Sequence, residues 1–296
     1  MSGELTFAIE LLITGMLIGL MYSMVALGFV LIYKASSVFN FAQGAMTLFA
    51  ALTVVGLIPH VGFAWSLAIT AVVMCVVAVG AERIVFRPLM GSSQLTIFMG
   101  TVGFASILEG AAQMIWGTKP RGLKLGIPAE PLKLGEVFVS KPDLISAAIA
   151  GLLVVAIILF FKRTKIGLGL RAIADDPAAA QVVGIPLHRV WAVAWALAGM
   201  VAIASGVLWG SRIGVHFAMS LIALKALPVL IIGGIDSVAG VIVAGLIVGA
   251  AEALGEGYIG THIGGGVQDV MAYVVALLFL MFKPSGLFGQ AAIQRL

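Results

Sequence analysis

Three ionisable residues, Glu109, Lys225 and Glu252, stand inside long apolar runs, where charge is costly and marks a candidate functional site. At 1.5 Å of rise per residue, Glu109 lies roughly 21 Å from the start of its run at Leu95, and Glu252 roughly 21 Å from Val238. Lys225 sits about 9 Å inside the opposite end of its run, the same level in a ~30 Å apolar layer. An unpaired ammonium there is expensive, so a carboxylate is expected to neutralise it, Glu252 first and Glu109 second. A gate, a solute or proton path, and plain structural pairing all suit this arrangement.

Uncharged polar residues form two further groups. Asn40, Gln43 and Gly44 stand at the start of an apolar run, where Asn40 is a natural N-cap and the three together could line the inner end of a path. Gly233-Gly234-Ile-Asp236-Ser237 reads as a tight break with Asp236 or Ser237 capping the helix that follows. Discontinuous helices of this kind frame transport sites, which makes Gly234 and Asp236 candidates. His60, His188, His216 and His262 fall at or beyond segment ends without metal-ligand spacing, so no metal is expected. No Ser-centred nucleophile elbow and no His-Glu-x-x-His helix supports an intramembrane enzyme.

The elements that hold these groups follow from composition. The 296 residues are 61% hydrophobic and 10% charged, against roughly 45–50% and about 25% in soluble domains. The expected fold is an all-α, polytopic integral membrane helical bundle. Nine candidate segments can be read: 7–33, 38–58, 63–86, 95–116, 144–161, 190–210, 219–233, 238–254 and 267–282. The seventh, short and containing Lys225 and Pro228, is expected to be broken or re-entrant, so the count of transmembrane segments is eight or nine. Pairs of glycines four apart, Gly15 and Gly19, Gly206 and Gly210, Gly245 and Gly249, suit close helix packing in lipid. Cys75 is the only cysteine, so no internal disulfide is possible.

The first apolar run follows Glu4 with no Lys or Arg before it, unlike a cleavable signal peptide. With the N-terminus outside, ten basic residues fall inside: Lys34, Arg83, Arg87, Lys162, Arg163, Lys165, Arg171, Arg189, Lys283 and Arg295. Six fall outside: Lys119, Arg121, Lys124, Lys133, Lys141 and Arg212. This bias favours an external N-terminus and a cytoplasmic C-terminus. One transmembrane domain over residues 1–296 then carries an external loop at 117–142, expected to hold a small structure of its own, and a cytoplasmic loop at 162–189.

The cytoplasmic loop has the clearest local grammar. Asp176 suits an N-cap, Pro177 the first helical position, and Gly184 before Pro186 a stop. A helix of about seven residues is too short to stand alone in water and should need a docking partner. Ala178-Ala179-Ala180-Gln-Val-Val-Gly184 resembles the coupling helix of ABC importer membrane subunits, a Glu-Ala-Ala, three residues, Gly pattern, with Ala178 standing where the pattern has Glu.

Three more stretches narrow the resemblance to the branched-chain amino acid permease family of the LivH type. They are Gly19–Gly28, Asn40-Phe41-Ala42-Gln43-Gly44, where the family usually has His at the position of Gln43, and Gly233–Ser237. With Gly167–Ile185 they are spread over almost the whole chain. The resemblance implies a permease subunit of a prokaryotic cytoplasmic (inner) membrane. Its partners would be a second, related permease in a heterodimer, two cytoplasmic ATPases and an extracytoplasmic binding protein. Gly167, Arg171, Asp175, Asp176, Pro177, Ala179, Ala180 and Gly184 would then serve ATPase coupling, while the polar residues named above would belong to a path or gate. No Gly-Lys dipeptide occurs, so there is no Walker A loop, and ATP would be used by partner subunits. The implied substrates are branched-chain amino acids or another small amphipathic solute such as an amide, urea or aromatic acid. The alternative is a stand-alone ion-coupled transporter or channel using Glu109, Lys225 and Glu252.

Overall fold

The computed structural model describes residues 3–128, 130–284 and 286–289. Arg295, counted with the inner basic residues, lies outside them. The helices in chain order are α1 (Gly3–Ser36), α2 (Gln43–Ala81), α3 (Arg87–Leu89), α4 (Gln94–Trp116), α5 (Lys141–Arg163), α6 (Lys165–Asp175), α7 (Pro177–Val182), α8 (Leu187–Ile213), α9 (Ile222–Gly233), α10 (Val238–Gly255), α11 (Thr261–Ile263) and α12 (Val267–Phe282). The polytopic helical architecture is as the composition requires.

Helix α2 is two helices in one. A Cβ on Gly206 of α8 would lie 2.6 Å from the Thr47 carbonyl oxygen, and one on Gly199 would lie 3.1 Å from that of Met74. A straight helix would hold Thr47 and Met74 about 40 Å apart, whereas Gly199 and Gly206 are separated by only about 10 Å. The chain must therefore fold back, and it does so after Pro59 at Gly62, whose φ of +77° only glycine adopts readily. This recovers the second and third segments expected from the sequence. The second begins later than expected, at Gln43 instead of Val38.

The chain forms two compact units. In one, comprising residues 1–26, 124–153 and 224–296, α1 and α10 run antiparallel. A Cβ on Gly15 would lie 2.4 Å from the Gly249 carbonyl oxygen, and one on Gly19 would lie 2.1 Å from that of Gly245. The two glycine pairs thus meet each other, and dispersion between backbones holds the helices. The Ser23 hydroxyl donates to the Val241 carbonyl at 2.8 Å, continuing the same seam. Helix α12 folds back on α10 after Gly264, Gly265 and Gly266, all at positive φ. Helix α9 runs parallel to α12: the Tyr273 hydroxyl bonds the Leu224 carbonyl near one end, and Leu287 N–H bonds the Ile232 carbonyl at the other.

These directions bear on the short seventh segment. In an alternating chain, α10 opposes α1 only if α9 is counted as a crossing, because a re-entrant α9 would make them parallel. Alone, the 12 residues of α9 rise about 18 Å, less than a ~30 Å layer. The 3-10 turn Phe217–Leu221 precedes them.

The loop between α4 and α5 carries a β-hairpin, with β1 (Leu132–Leu134) antiparallel to β2 (Val137–Val139). The Glu10 carboxylate of α1 accepts the Phe138 N–H at 2.7 Å and ties the hairpin down. In the second unit, residues 27–123 and 154–223, α8 packs on both halves of α2. Phe86 stacks on Trp195 with centroids 4.4 Å apart, and Phe104 closes on both edge-on.

Candidate functional site

The loop between α5 and α8 folds as two helices. Thr164 caps α6 by accepting the Gly167 N–H at 2.9 Å, and α6 buries Gly167, Gly169, Leu170 and Ile173. This helix was not read from the sequence, because its two glycines weaken the helical signal and are explained only by packing. A Cβ on Gly167 would sit 2.5 Å from the Phe161 carbonyl oxygen, so Gly167 belongs to the α5–α6 corner and not to an outward face. Arg171 is half-buried, with its Nε enclosed and without a hydrogen-bond partner among the described residues.

Helix α7 has the ends that the sequence specified. The Asp176 carboxylate accepts the N–H groups of Ala178 at 2.9 Å and Ala179 at 3.0 Å, with Pro177 in the first turn. At the other end Gly184, at φ +90°, donates to the Gln181 carbonyl while Ile185 donates to that of Ala180, each at 3.0 Å. This pair of bonds is a Schellman stop, and it satisfies carbonyls that would otherwise be orphaned. Ala180 is buried, whereas Asp175, Ala179, Val182 and Val183 face outward. Val182 and Val183 are 88% and 81% exposed. The sequence reading overlooked these two valines, although adjacent apolar residues at the end of a capped helix in a charged loop are the signal for a covered surface.

A second site lies where the backbone leaves helix between α1 and α2. Phe41 N–H donates to the Thr101 hydroxyl at 3.2 Å, and the Asn40 side-chain oxygen accepts the Ala42 N–H at 3.2 Å. Irregular backbone at membrane depth requires such partners or a cavity beside it. Asn40 was expected to cap the second segment, but the residue at the cap is Ala42, and Asn40 forms an Asx turn one step earlier. Because its oxygen is engaged there, its amide nitrogen faces the Gln43 side-chain oxygen, 3.4 Å away. That leaves the Gln43 Nε2 buried without a hydrogen-bond partner among the described residues. Gly44 is buried against the Ser220 carbonyl, which a Cβ would approach to 2.1 Å.

The third group lies in the unit of α9, α10 and α12. Lys225 pairs with Asp269 in the first turn of α12. This corrects the expected pairing with Glu252 or Glu109: Asp269 stands in the first turn of the ninth run, where an acidic residue reads as a helix-end group and not as one inside the apolar layer. Glu252 is buried on α10 and hydrogen-bonded by Tyr22, with Lys225 and Asp269 near enough to act on it electrostatically. Its Oε1 has no hydrogen-bond partner among the described residues. Glu109 is half-buried on α4. Gly234, at φ +97°, makes the turn after α9, and Ser237, not Asp236, caps α10 by accepting the Gly240 N–H at 3.0 Å.

One ion pair was missed altogether. Glu82 is fully buried and receives two bonds from Arg87, at 3.0 and 2.8 Å. The π-helical turn Glu82–Phe86 brings these residues, five apart, onto one side. Among the described residues no cluster of three metal-ligating side chains occurs.

The family model for the branched-chain amino acid transport system, permease component, matches residues 11–283. The high-affinity branched-chain amino acid transport system permease protein BraD of Pseudomonas aeruginosa is 26% identical, with 99% of each chain aligned. LivH of Escherichia coli, under the same description, is 26% identical with both chains aligned in full. A probable branched-chain amino acid transport permease protein of Methanocaldococcus jannaschii is 25% identical over 90% of this chain and 88% of that one. Among solved structures, PsaBC from Streptococcus pneumoniae in complex with Fab covers 94% of this chain and 92% of that one, at 15% identity and a TM-score of 0.49.

Proposed function

Since the chain belongs to the family of branched-chain amino acid transport permease components, we propose that it is the membrane subunit of an ABC importer for branched-chain amino acids or related small amphipathic solutes. It alternates access across the membrane while separate ATPase subunits bind and hydrolyse ATP. A second, homologous permease and an extracytoplasmic binding protein complete the assembly. The N-terminus lies outside and the C-terminus in the cytoplasm, which puts α6 and α7 on the side of ATP.

The observation that carries this reading is α7. A six-residue helix closed at both ends, with Val182 and Val183 outward, is a rigid apolar knob. A cleft in an ATPase that covers these valines gains their burial and moves α7 as it opens and closes. Asp176, Pro177 and Gly184 keep the knob folded, Ala179 lets a partner approach closely, and Ala180 and Gly167 fasten it to the chain. Asp175 is exposed beside the knob and Arg171 lies half-buried behind it. The path proper includes Asn40, Gln43 and Gly44 at the break before α2, with Glu109, Lys225, Glu252, Gly234 and Asp236 as gate or path residues.

Reconstitution of the chain with its permease partner, with and without the ATPases, tests the proposal. Uptake of leucine, isoleucine or valine is expected only with ATPases and ATP. Uptake without ATPases, abolished when an ion gradient is collapsed, would favour the ion-coupled alternative, for which the unpartnered oxygen of buried Glu252 is the best evidence.

A further inference from the structure

A cavity of about 380 Å³ opens in the second unit between the end of α1 and the start of α4. Ser37, Val38 and Phe39 form one wall, and Gln94, Ile97 and Phe98 belong to the other. It lies at the same end of the unit as α6 and α7, because the Trp191 indole N–H in the first turns of α8 donates to the Ala35 carbonyl at 2.8 Å. Its aromatic wall is braced: Phe39 stacks on Phe29 at 5.1 Å, and Phe98 meets Phe41 edge-on at 5.7 Å. The size falls in the range of small-ligand sites, which are mostly apolar with a few polar groups.

The polar groups decide what fits. Ser37 is the one non-glycine among the described residues with positive φ, +53°, and it holds the chain where the cavity begins. Strain of this kind persists where surrounding structure enforces it, often at a ligand site. Across from it, Gln94 is the first residue of α4, followed by Leu95; N–H groups at these two positions have no carbonyl one turn back to bond. Ser37 and Gln94 are both exposed at the mouth of the cavity, so a polar group placed between them stays hydrated while an aliphatic end enters. A small molecule with an aliphatic end and a carboxylate satisfies both walls.

We propose that this cavity is an exit-side binding site for the transported solute, with its aliphatic side chain against Val38, Phe39 and Phe98 and its carboxylate toward Gln94. The ligand class rests on the permease reading above. The cavity adjoins the break at Asn40–Gln43, so solute leaving the path would meet it before reaching the cytoplasm, beside the helices that answer to the ATPases.

The test follows cysteine modification of the full complex in lipid nanodiscs without the binding protein, and uptake by the same complex in sealed proteoliposomes with the binding protein supplied. Cys75, half-exposed on α2 and outside the cavity, serves in the wild-type chain as the control for an Ile97→Cys variant made in a Cys75→Ser background. Leucine is expected to slow maleimide modification of Ile97→Cys, aspartate is not, and Cys75 in the wild type is expected to react at the same rate with either. Val38→Trp, which fills the cavity, should weaken leucine protection of Ile97→Cys about tenfold or more. ATP-driven leucine uptake with no protection by leucine overturns the cavity site and leaves the permease reading intact. Protection of Cys75 as well as Ile97→Cys also overturns it, since it reports a global change. So does modification that speeds up on delipidation whether or not leucine is present, which identifies an acyl chain as the occupant. Absence of ATP-driven uptake of any aliphatic amino acid by the active, assembled complex overturns the aliphatic amino acid as the solute, and the cavity site with it.

Discussion

Lys225 reaches Asp269, 44 residues further along the chain, so the ammonium on a short helix is held by the first turn of another. Both side chains are partly exposed, 32% and 59%, and the pair is expected to contribute about 1 kcal/mol or less. Its value lies in fixing α9 against α12. Lys225→Met and Asp269→Asn should each lower the thermal unfolding temperature slightly and reduce uptake. The swap Lys225→Asp with Asp269→Lys should restore more uptake than either single change allows. Equal loss in the swap would show that the charges act separately.

The Gln43 side chain occupies the space beside Gly28, where a Cβ would fall 2.1 Å from its Nε2. Gly28→Ala therefore overpacks the site and is expected to cost about 1–3 kcal/mol, read as a drop in thermal stability of the purified protein. Adding Gln43→Ser should recover most of it. If the double variant is no better than Gly28→Ala alone, the glycine is required for another reason.

Helix α7 allows surface and structural roles to be separated. Val182 and Val183 are largely exposed, so Val182→Glu and Val183→Glu should leave unfolding unchanged while ATPase subunits cease to co-purify and uptake is lost. Asp176→Ala removes the cap at about 0.5–2 kcal/mol of local helix stability and should lower uptake while leaving unfolding of the membrane helices unaltered. Ala180→Pro removes the Ala180 N–H bond to the Asp176 carbonyl and should uncouple ATP hydrolysis from transport. Full uptake in the two glutamate variants would exclude α7 as the contact.

Arg87→Ala leaves the buried Glu82 carboxylate uncompensated, whereas Glu82→Gln keeps a neutral hydrogen-bonding group against the arginine. Arg87→Ala should thus destabilise more than Glu82→Gln in detergent unfolding assays, and Glu82→Gln with Arg87→Leu should be milder than Arg87→Ala. The opposite ranking would place the main cost on burying the arginine.

The number of segments, the reversal near Gly62, the glycine spacings and both ends of α7 were legible in the sequence, since each depends on neighbours within a few residues. Hydrophobic runs fix which residues avoid water; Asp176, Pro177 and Gly184 fix local backbone geometry. The partners of Lys225, Glu82 and Gln43 were not legible in this way. Depth along a run ranks carboxylates by height but not by azimuth, so it favoured Glu252 over Asp269. The Glu82–Arg87 spacing of five matches no ordinary helical repeat and becomes a pair only through a π-turn. Helix α6 was hidden because Gly167 and Gly169 read as loop until Phe161 and Val190 are packed against them.

The sequence by itself determined that this chain is a membrane helical bundle with a capped loop helix, because both properties are sums of local preferences. Only the tertiary structure decided that α10 opposes α1, that Lys225 meets Asp269, and that Phe39 and Gln94 face one cavity. Those are relations between segments far apart in sequence. They are set by which helix faces pack most closely, a matter of shape complementarity that composition and periodicity do not encode.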